Sequence, residues 1–254
     1  VWWARSEATG AAKARGIAHA WVGERCFAWK GKAGVSAQAV ERSQDAVALL
    51  TTKVGNDRPR TLTMWLSSSV CRLERVPAVE GVRHRAEAEA AVAALLRARS
   101  SLRDTAKVWL PHWPYPGAYW CVAVADGALL QACDQAAGKA LRSIKPWWSW
   151  VLADLQAQHL SADRKDVAWA LYDGDALITA SVDAQGGVVE ACTVWPVPDP
   201  SAAQRVLNRR VASGAARVAQ CVSLEIPVGL AGGEVSADAT GFGFSEFLQR
   251  DDAF

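Results

Sequence analysis

One arrangement occurs twice in this chain, and it constrains the fold more than any single motif. The order hairpin, helix, strand runs through residues 16 to 67 and returns through residues 167 to 225. What repeats is hydrophobic pattern and turn placement, not letters; such self-similarity marks a duplicated architecture. In the first copy, "GIAHAWVGERCFAWKG" reads as two strands about a tight turn at Gly23, Glu24 and Arg25. Ile17, His19 and Trp21 alternate along one arm, Cys26 and Ala28 along the other. A helix is expected from about Ser36 to Thr52, with Ser36 as N-cap and Val40, Val47 and Leu50 as its apolar stripe. "TLTMWLSS" from Thr61 is then a buried strand. In the second copy, "VAWALYDGDALITASV" is a hairpin about Asp173, Gly174 and Asp175, and the D-G pair is a strong turn signal. "GGVVEACTVW" adds a third strand, a helix starts at Pro200 and runs to Ser213, and "ARVAQCVSLEI" closes the unit.

Between the copies, "VCRLERV" is a strand that stops at Pro77. Residues 82 to 99 form a helix with i,i+4 pairs at Arg83–Glu87 and Arg85–Glu89. "WLPHWPYPG" is irregular because its three prolines remove donors and fix φ. "AYWCVAVA" is a strand. Asp126 caps the next helix, which carries Leu129, Leu130, Cys133, Ala137 and Leu141 on one face and Arg142 in its last turn. Pro146 opens a further helix, "PWWSWVLADLQ". The expected fold is α/β. Residues 1–15 are a leader outside the ordered fold, 16–145 a first lobe with an inserted helical subdomain, and 146–254 a second lobe ending in a loose Gly-rich tail. A length of 254 residues suits two modest lobes with a cleft between them.

Composition narrows the function classes. A net charge of +2 without a basic block leaves no electrostatic footprint for nucleic acid. No apolar run reaches the roughly 18 residues of a membrane span. "VWWARSEATGAAKAR" lacks the apolar core of a signal peptide, and a start at Val1 without Met reads as a trimmed chain or a leader. The cysteines (Cys26, Cys71, Cys121, Cys133, Cys192 and Cys221) form no C-x-x-C pair. That disfavours metal and redox sites and fits small hydrophobes in a reducing compartment. His19, His84, His112 and His159 show no ligand spacing, and no P-loop, G-x-S-x-G or H-E-x-x-H string is present. A two-metal nuclease would need carboxylates on the first strand, where "GIAHAWV" has none. Thirteen Trp against one Met leave two readings open, core filling and interface anchoring. Two clusters are candidates for a partner: Trp109, Trp113, Tyr115 and Tyr119 around prolines, and Trp147 and Trp148, with Trp150, at a helix start. Inter-lobe packing is the other reading of the second cluster.

The stretch "TLTMWLSSSVCRLERVPAVEGVRHRAEAEAAVAALL" resembles a segment of the actin-like cytoplasmic proteins of type IV pilus and type II secretion machines, the PilM-like and GspL-like proteins. There a strand leads into R-x-x-x-x-P and a helix rich in Glu and Ala, and Arg72 and Pro77 stand at those places. "GAYWCVAV" is similar to the family's Gly-x-x-Trp strand, "SIKPWWSWVL" to its link between lobes, and "WALYDGDALITASV" to its second-lobe hairpin. The similarity covers roughly residues 60 to 225. It implies the actin-like ATPase fold, with two ribonuclease-H-like lobes. It also implies a cytoplasmic scaffold peripheral to the inner membrane, docked to a membrane-anchored platform protein and to the assembly ATPase. PilM-like proteins are soluble and bind a short partner peptide, whereas GspL-like proteins continue into a membrane helix. With none before Phe254, the expectation is a PilM-like chain or one cut short.

One departure bears on mechanism. Actin-like ATPases carry Asp-x-Gly in the first hairpin turn, where Mg and phosphate need a carboxylate and backbone donors. "AWVGERCF" has Gly23 but no Asp before it. Asp173, Gly174 and Asp175 read either as the second phosphate turn or as an ordinary type I′ hairpin turn. Gly232 and Gly233 read either as the adenosine loop or as part of a flexible tail. The expectation is therefore a degenerate cleft without cofactor. The alternatives are an active ATPase or small-molecule kinase in which Asp173 or Asp175 holds Mg·ATP, and an interaction domain of unrelated α/β fold.

Overall fold

The computed structural model describes residues 16–99, 102–111, 119–151, 167–182, 188–197, 199–212, 218–225 and 239–243. The expected leader, Trp113, Tyr115, Gly232 and Gly233 lie outside these residues.

Strands β1 (Ile17–Val22) and β2 (Cys26–Gly31) form the expected hairpin, with Ala20 opposite Trp29 and Val22 opposite Phe27. β1 is buried from its second residue to its last, as a central strand covered on both faces must be. The chain then departs from expectation. Residues around Ser36 form strand β3 (Gly34–Ala39) and not a helix start, and helix α1 (Ser43–Asp57) begins seven residues later. Gly34 sits at φ 96°, a left-handed conformation that folds the chain back along β2 and sets Ser36 opposite Trp29. β3 is a mostly exposed edge strand, and only Val35 and two alanines mark its alternation in the sequence. β4 (Thr61–Leu66) pairs parallel with β1 in the same register throughout.

Strand β5 (Cys71–Pro77), helix α2 (Arg85–Ala98), β6 (Ala106–Trp109) and β7 (Tyr119–Asp126) make an inserted unit, a three-stranded sheet in the order β5-β7-β6. Its strands alternate in what they bury. Val76, Val122 and Val124 pack with Ala88, Val92 and Leu96 of α2, while Leu73, Cys121 and Ala123 join the main core. Arg85 and Glu89 form the expected i,i+4 pair at 2.9 Å. Helix α3 (Gly127–Ala137) starts at Asp126, whose carboxylate accepts from the Ala128 amide at 2.8 Å. It does not reach Leu141 and Arg142. Gly138, at φ 55°, and a short 3-10 turn end it, and both residues enter strand β8 (Leu141–Pro146) parallel to β4. Residues 147 to 151 (α4) are helical directly after Pro146.

The second copy comprises β9 (Val167–Tyr172), β10 (Leu177–Val182), β11 (Val188–Val194), helix α5 (Pro200–Ala212), β12 (Val218–Glu225) and β13 (Ala239–Gly243). β13 falls inside the tail expected to be loose. The sheet orders β3-β2-β1-β4-β8 and β11-β10-β9-β12-β13 correspond strand for strand, so the duplication is real. One core cluster joins β1, β2, β4, the inserted sheet and α4 to Leu171, Ile178 and Ala180 of the second lobe. Trp21, Trp65, Trp147 and Trp148 are fully buried in it. Cys71, Cys121 and Cys133 also sit there as small hydrophobes, and burial pushes their thiols up, away from thiolate chemistry.

Trp147 donates to the Ser68 hydroxyl at 2.8 Å and Trp148 to the Cys71 carbonyl at 2.9 Å. Trp147→Ala is therefore expected to cost about 3–5 kcal/mol in urea unfolding, against less than about 0.5 kcal/mol for Trp195→Ala at the surface. Equal effects would contradict this assignment of core and surface.

Candidate functional site

The site is the seam where the two hairpin turns meet. The turn between β9 and β10 carries Asp173, Gly174 and Asp175; only Gly174 has positive φ, at 84°, so it is not the type I′ turn, which needs positive φ at both central residues. Asp173 braces its own turn, its Oδ1 accepting from the Asp175 amide at 3.2 Å and the Ala176 amide at 2.9 Å. Its Oδ2 crosses to the first lobe and accepts from the Ser68 amide at 2.7 Å and the Ser67 hydroxyl at 3.0 Å. Asp175 reaches the turn between β1 and β2. Its Oδ2 accepts from the Glu24 amide at 3.0 Å, the Arg25 amide at 3.3 Å and the Ser69 hydroxyl at 3.0 Å.

Both carboxylates are buried, Asp173 at 1 % and Asp175 at 2 % exposure. Burial first, and then the neighbouring Asp173 charge, push the Asp175 carboxyl up to about 6; the Arg25 amide, the Ser69 hydroxyl and the Arg25 charge oppose the rise. The same seam pushes up the Cys26 thiol and the Tyr172 phenol, through burial first and the aspartate charges second. Gly23 permits the approach. A Cβ there would stand 2.7 Å from Asp175 Oδ2 and 3.2 Å from the Cys26 carbonyl oxygen.

Successive amides at a turn form a concavity suited to an anion. Here Glu24 and Arg25 supply those amides, and an aspartate of the other lobe fills the concavity. A nucleotide phosphate does not fit the seam as built. The amides and the Ser69 hydroxyl are occupied, and two buried carboxylates would face the added charge. Among the described residues, no three His, Cys, Asp or Glu side chains converge to hold a metal.

Beside the seam lies a groove of about 690 Å³. Ser68, Ser69, Val70 and Arg72 form one wall, Leu129 of α3 another, and Thr193 and Trp195 come from the second lobe. Trp195 is half-exposed at 50 % and was not singled out in the sequence, although the prolines of "WPVPDP" flank it as others flank Trp113. A second groove of about 700 Å³ lies between the inserted sheet and β8, lined by Lys107, Trp109, Leu130, Arg142 and Ile144.

The residues proposed from sequence for a partner divide. Trp109 is half-buried on β6 and faces the second groove. Tyr119 is half-buried, with the Arg75 guanidinium 4.0 Å above its ring. Trp147 and Trp148, at 1 % and 0 % exposure, are corrected to core residues, because α4 is wedged between the lobes and buries more than one face.

No protein-family model matches the chain, and no curated protein matches it. Solved structures do. A Bacteroides thetaiotaomicron protein of actin-like ATPase fold and unknown function aligns at TM-score 0.56 and 10% identity, over 84% of this chain and 83% of that one. The cytoplasmic domain of EpsL, an inner-membrane component of the Vibrio cholerae type II secretion system, aligns at TM-score 0.54 and 14% identity, over 93% and 94%. A chain of the PilM–PilN type IV pilus biogenesis complex aligns at TM-score 0.50 and 12% identity, over 71% of this chain and 61% of that one. The chain has the actin-like ATPase fold.

The raised Asp175 value fixes the sign of a pH effect. Between about pH 4 and pH 6 the folded chain binds a proton at Asp175 that the unfolded chain does not, so this group's contribution to stability falls as pH rises. Relative to Asp175→Asn, the wild type is expected to lose up to about 3 kcal/mol between pH 4 and pH 8, the free-energy equivalent of a carboxyl that titrates near pH 6 in place of pH 4. Parallel urea stability curves for the two proteins across that range would refute it.

Proposed function

We propose that this chain is a non-catalytic scaffold on the cytoplasmic side of the inner-membrane platform of a pilus-assembly or type II secretion machine. There it holds a segment of a membrane-anchored platform protein. The observation that carries this reading is the Asp175 carboxylate seated on the Glu24 and Arg25 amides, where an ATPase of this fold would hold phosphate. The likenesses to the EpsL cytoplasmic domain and to the PilM–PilN complex support the choice of machine.

The competing reading is an active ATPase or small-molecule kinase with Mg held by Asp173 or Asp175. Its difficulty is electrostatic. Mg·ATP would have to displace an internal carboxylate from its donors and then sit against Asp173 at low effective dielectric. The groove beside the seam makes no such demand. Its volume of about 690 Å³ suits a short peptide, with Val70, Leu129 and Trp195 offering apolar contact and Arg103 on its wall for polar atoms. A peptide from the membrane-anchored partner is the occupant assigned to it, and the assembly ATPase is a second contact in the same role.

Calorimetric titration of the folded protein with Mg·ATP, with ADP as control, is expected to give no saturable heat. A dissociation constant below about 1 mM, some 4 kcal/mol of binding, would overturn the non-catalytic reading. For docking, the chain co-expressed with the membrane-anchored protein of its own machine is expected to sediment with membranes. Val70→Arg, which fills the groove, should release it by about tenfold or more in a chain that still unfolds cooperatively; undiminished retention would remove the groove from the reading.

A further inference from the structure

The groove and the seam share a wall. Ser68, Ser69 and Val70 line the groove. Ser67, Ser68 and Ser69 are also the residues that Asp173 and Asp175 hold from the second lobe, through the Ser67 hydroxyl, the Ser68 amide and the Ser69 hydroxyl. Val70 and Cys71 complete the loop with amides donated to the Ser67 carbonyl at 3.2 and 2.9 Å. The second lobe contributes again through β11 and the residues after it. The Thr193 hydroxyl accepts from the Leu73 amide at 3.2 Å and donates to the Leu73 carbonyl at 3.4 Å, and Thr193 and Trp195 line the groove. Parting the lobes would remove Thr193 and Trp195 from the groove and, in the same movement, both aspartates from the serine loop that walls it.

We propose that the Asp173-Gly174-Asp175 turn is a clasp that shapes this groove, so that the docking surface on the first lobe is complete only while the second lobe is closed against it. The proposal rests on the reading of the groove as a partner's docking site, and it adds how that site is regulated. A ligand that touches both lobes favours closure, and closure favours the ligand by the same factor. Asp173 and Asp175 are positioning residues here: they touch the serine loop, and the loop touches the ligand. The bonds that compete for the same task are those of Trp147 to Ser68 and Trp148 to Cys71, which hold the loop from within the core.

Hydrogen exchange read at single amides in the full chain, without any partner, separates the two. In Asp175→Ala, the amides of Ser68, Val70 and Cys71 are expected to exchange about tenfold faster or more, although none of them bonds Asp175, while α1 keeps its protection. Asp175→Asn is expected to restore them, because its amide oxygen can still accept from Glu24, Arg25 and Ser69. Wild-type protection of those three amides in Asp175→Ala, with only Glu24 and Arg25 exposed, would overturn the clasp and leave the loop to the tryptophans. Should Asp175→Ala fail to fold, Ser69→Ala removes the hydroxyl that bonds Asp175, together with its contacts to the Ser67 hydroxyl and the Glu24 amide, and leaves the carboxylate in place; unchanged exchange at Ser68 and Val70 then refutes the proposal. With no partner present, the result does not depend on whether the groove docks a peptide, which membrane retention of Val70→Arg tests by itself.

Discussion

Two carboxylates placed in the interior between the lobes are the constraint to which the rest of the structure answers. A buried carboxylate is tolerated only where donors replace its water. Four donors reach Asp173 and three reach Asp175. Two of Asp173's four and all three of Asp175's come from the first lobe, so separating the lobes would strip each aspartate of its cross-lobe donors. The lobes therefore stand at a separation fixed to hydrogen-bond precision at this point. The turn between β1 and β2, the loop after β4 and the turn between β9 and β10 are three sequence-distant segments held to one another by it.

Hydrophobic packing makes that arrangement one body instead of two lobes tied at a point. Trp147 and Trp148 occupy the first turn of α4, immediately after the last residue of β8, and their ring nitrogens reach Ser68 and Cys71. The Trp21 and Trp147 rings lie 5.9 Å apart and tilted at 56°, a favourable aromatic arrangement. The serine loop is consequently held from two sides, by charge-assisted bonds from the second lobe and by indole N–H groups from the core. Edge strands β5 and β11 meet nearby through Thr193, whose single hydroxyl satisfies both an amide and a carbonyl of Leu73. The inserted sheet is thus anchored to both lobes, and the groove lies where all three parts meet.

Much of this was legible in the sequence, and the physical reasons for the rest are specific. The hairpins were legible because in each a pair of apolar arms flanks a short run of turn residues, Gly23-Glu24-Arg25 and Asp173-Gly174-Asp175. The helix expected at Ser36 was wrong because β3 is a mostly exposed edge whose alternating Val35, Ala37 and Ala39 are too short and too weakly apolar a run to outweigh Ser36 as an apparent N-cap. Leu141 continued the apolar face of α3 on paper, but Gly138 ended the helix first. For Trp147 and Trp148 two readings stood open, a partner or the other lobe, because a helix start carries large side chains on more than one face; the burial of both decides for packing between the lobes. The seam was invisible for a deeper reason. Asp175 takes its bonds from amides 151 and 150 residues away, and an amide belongs to every residue other than proline, so no letter announces it. "SSS" after β4 read as the end of a strand.

Gly23 gives the last step. Its presence in the first hairpin turn, without the aspartate that an actin-like ATPase carries there, reads in the sequence as the remnant of a phosphate site. The structure supplies a present-day reason for it, since a Cβ at that position would stand 2.7 Å from Asp175 Oδ2. The small residue is required by an anion, and the anion belongs to the chain. A tethered carboxylate competes for the Glu24 and Arg25 amides at an effective concentration of millimolar order or above. Mg·ATP, free in solution, gains those amides only by also opening the seam and exposing the loop that Ser67, Ser68 and Ser69 form. The Glu24 and Arg25 amides thus bond a carboxylate of the chain itself, and the loop that the same carboxylate reaches through Ser69 borders the groove.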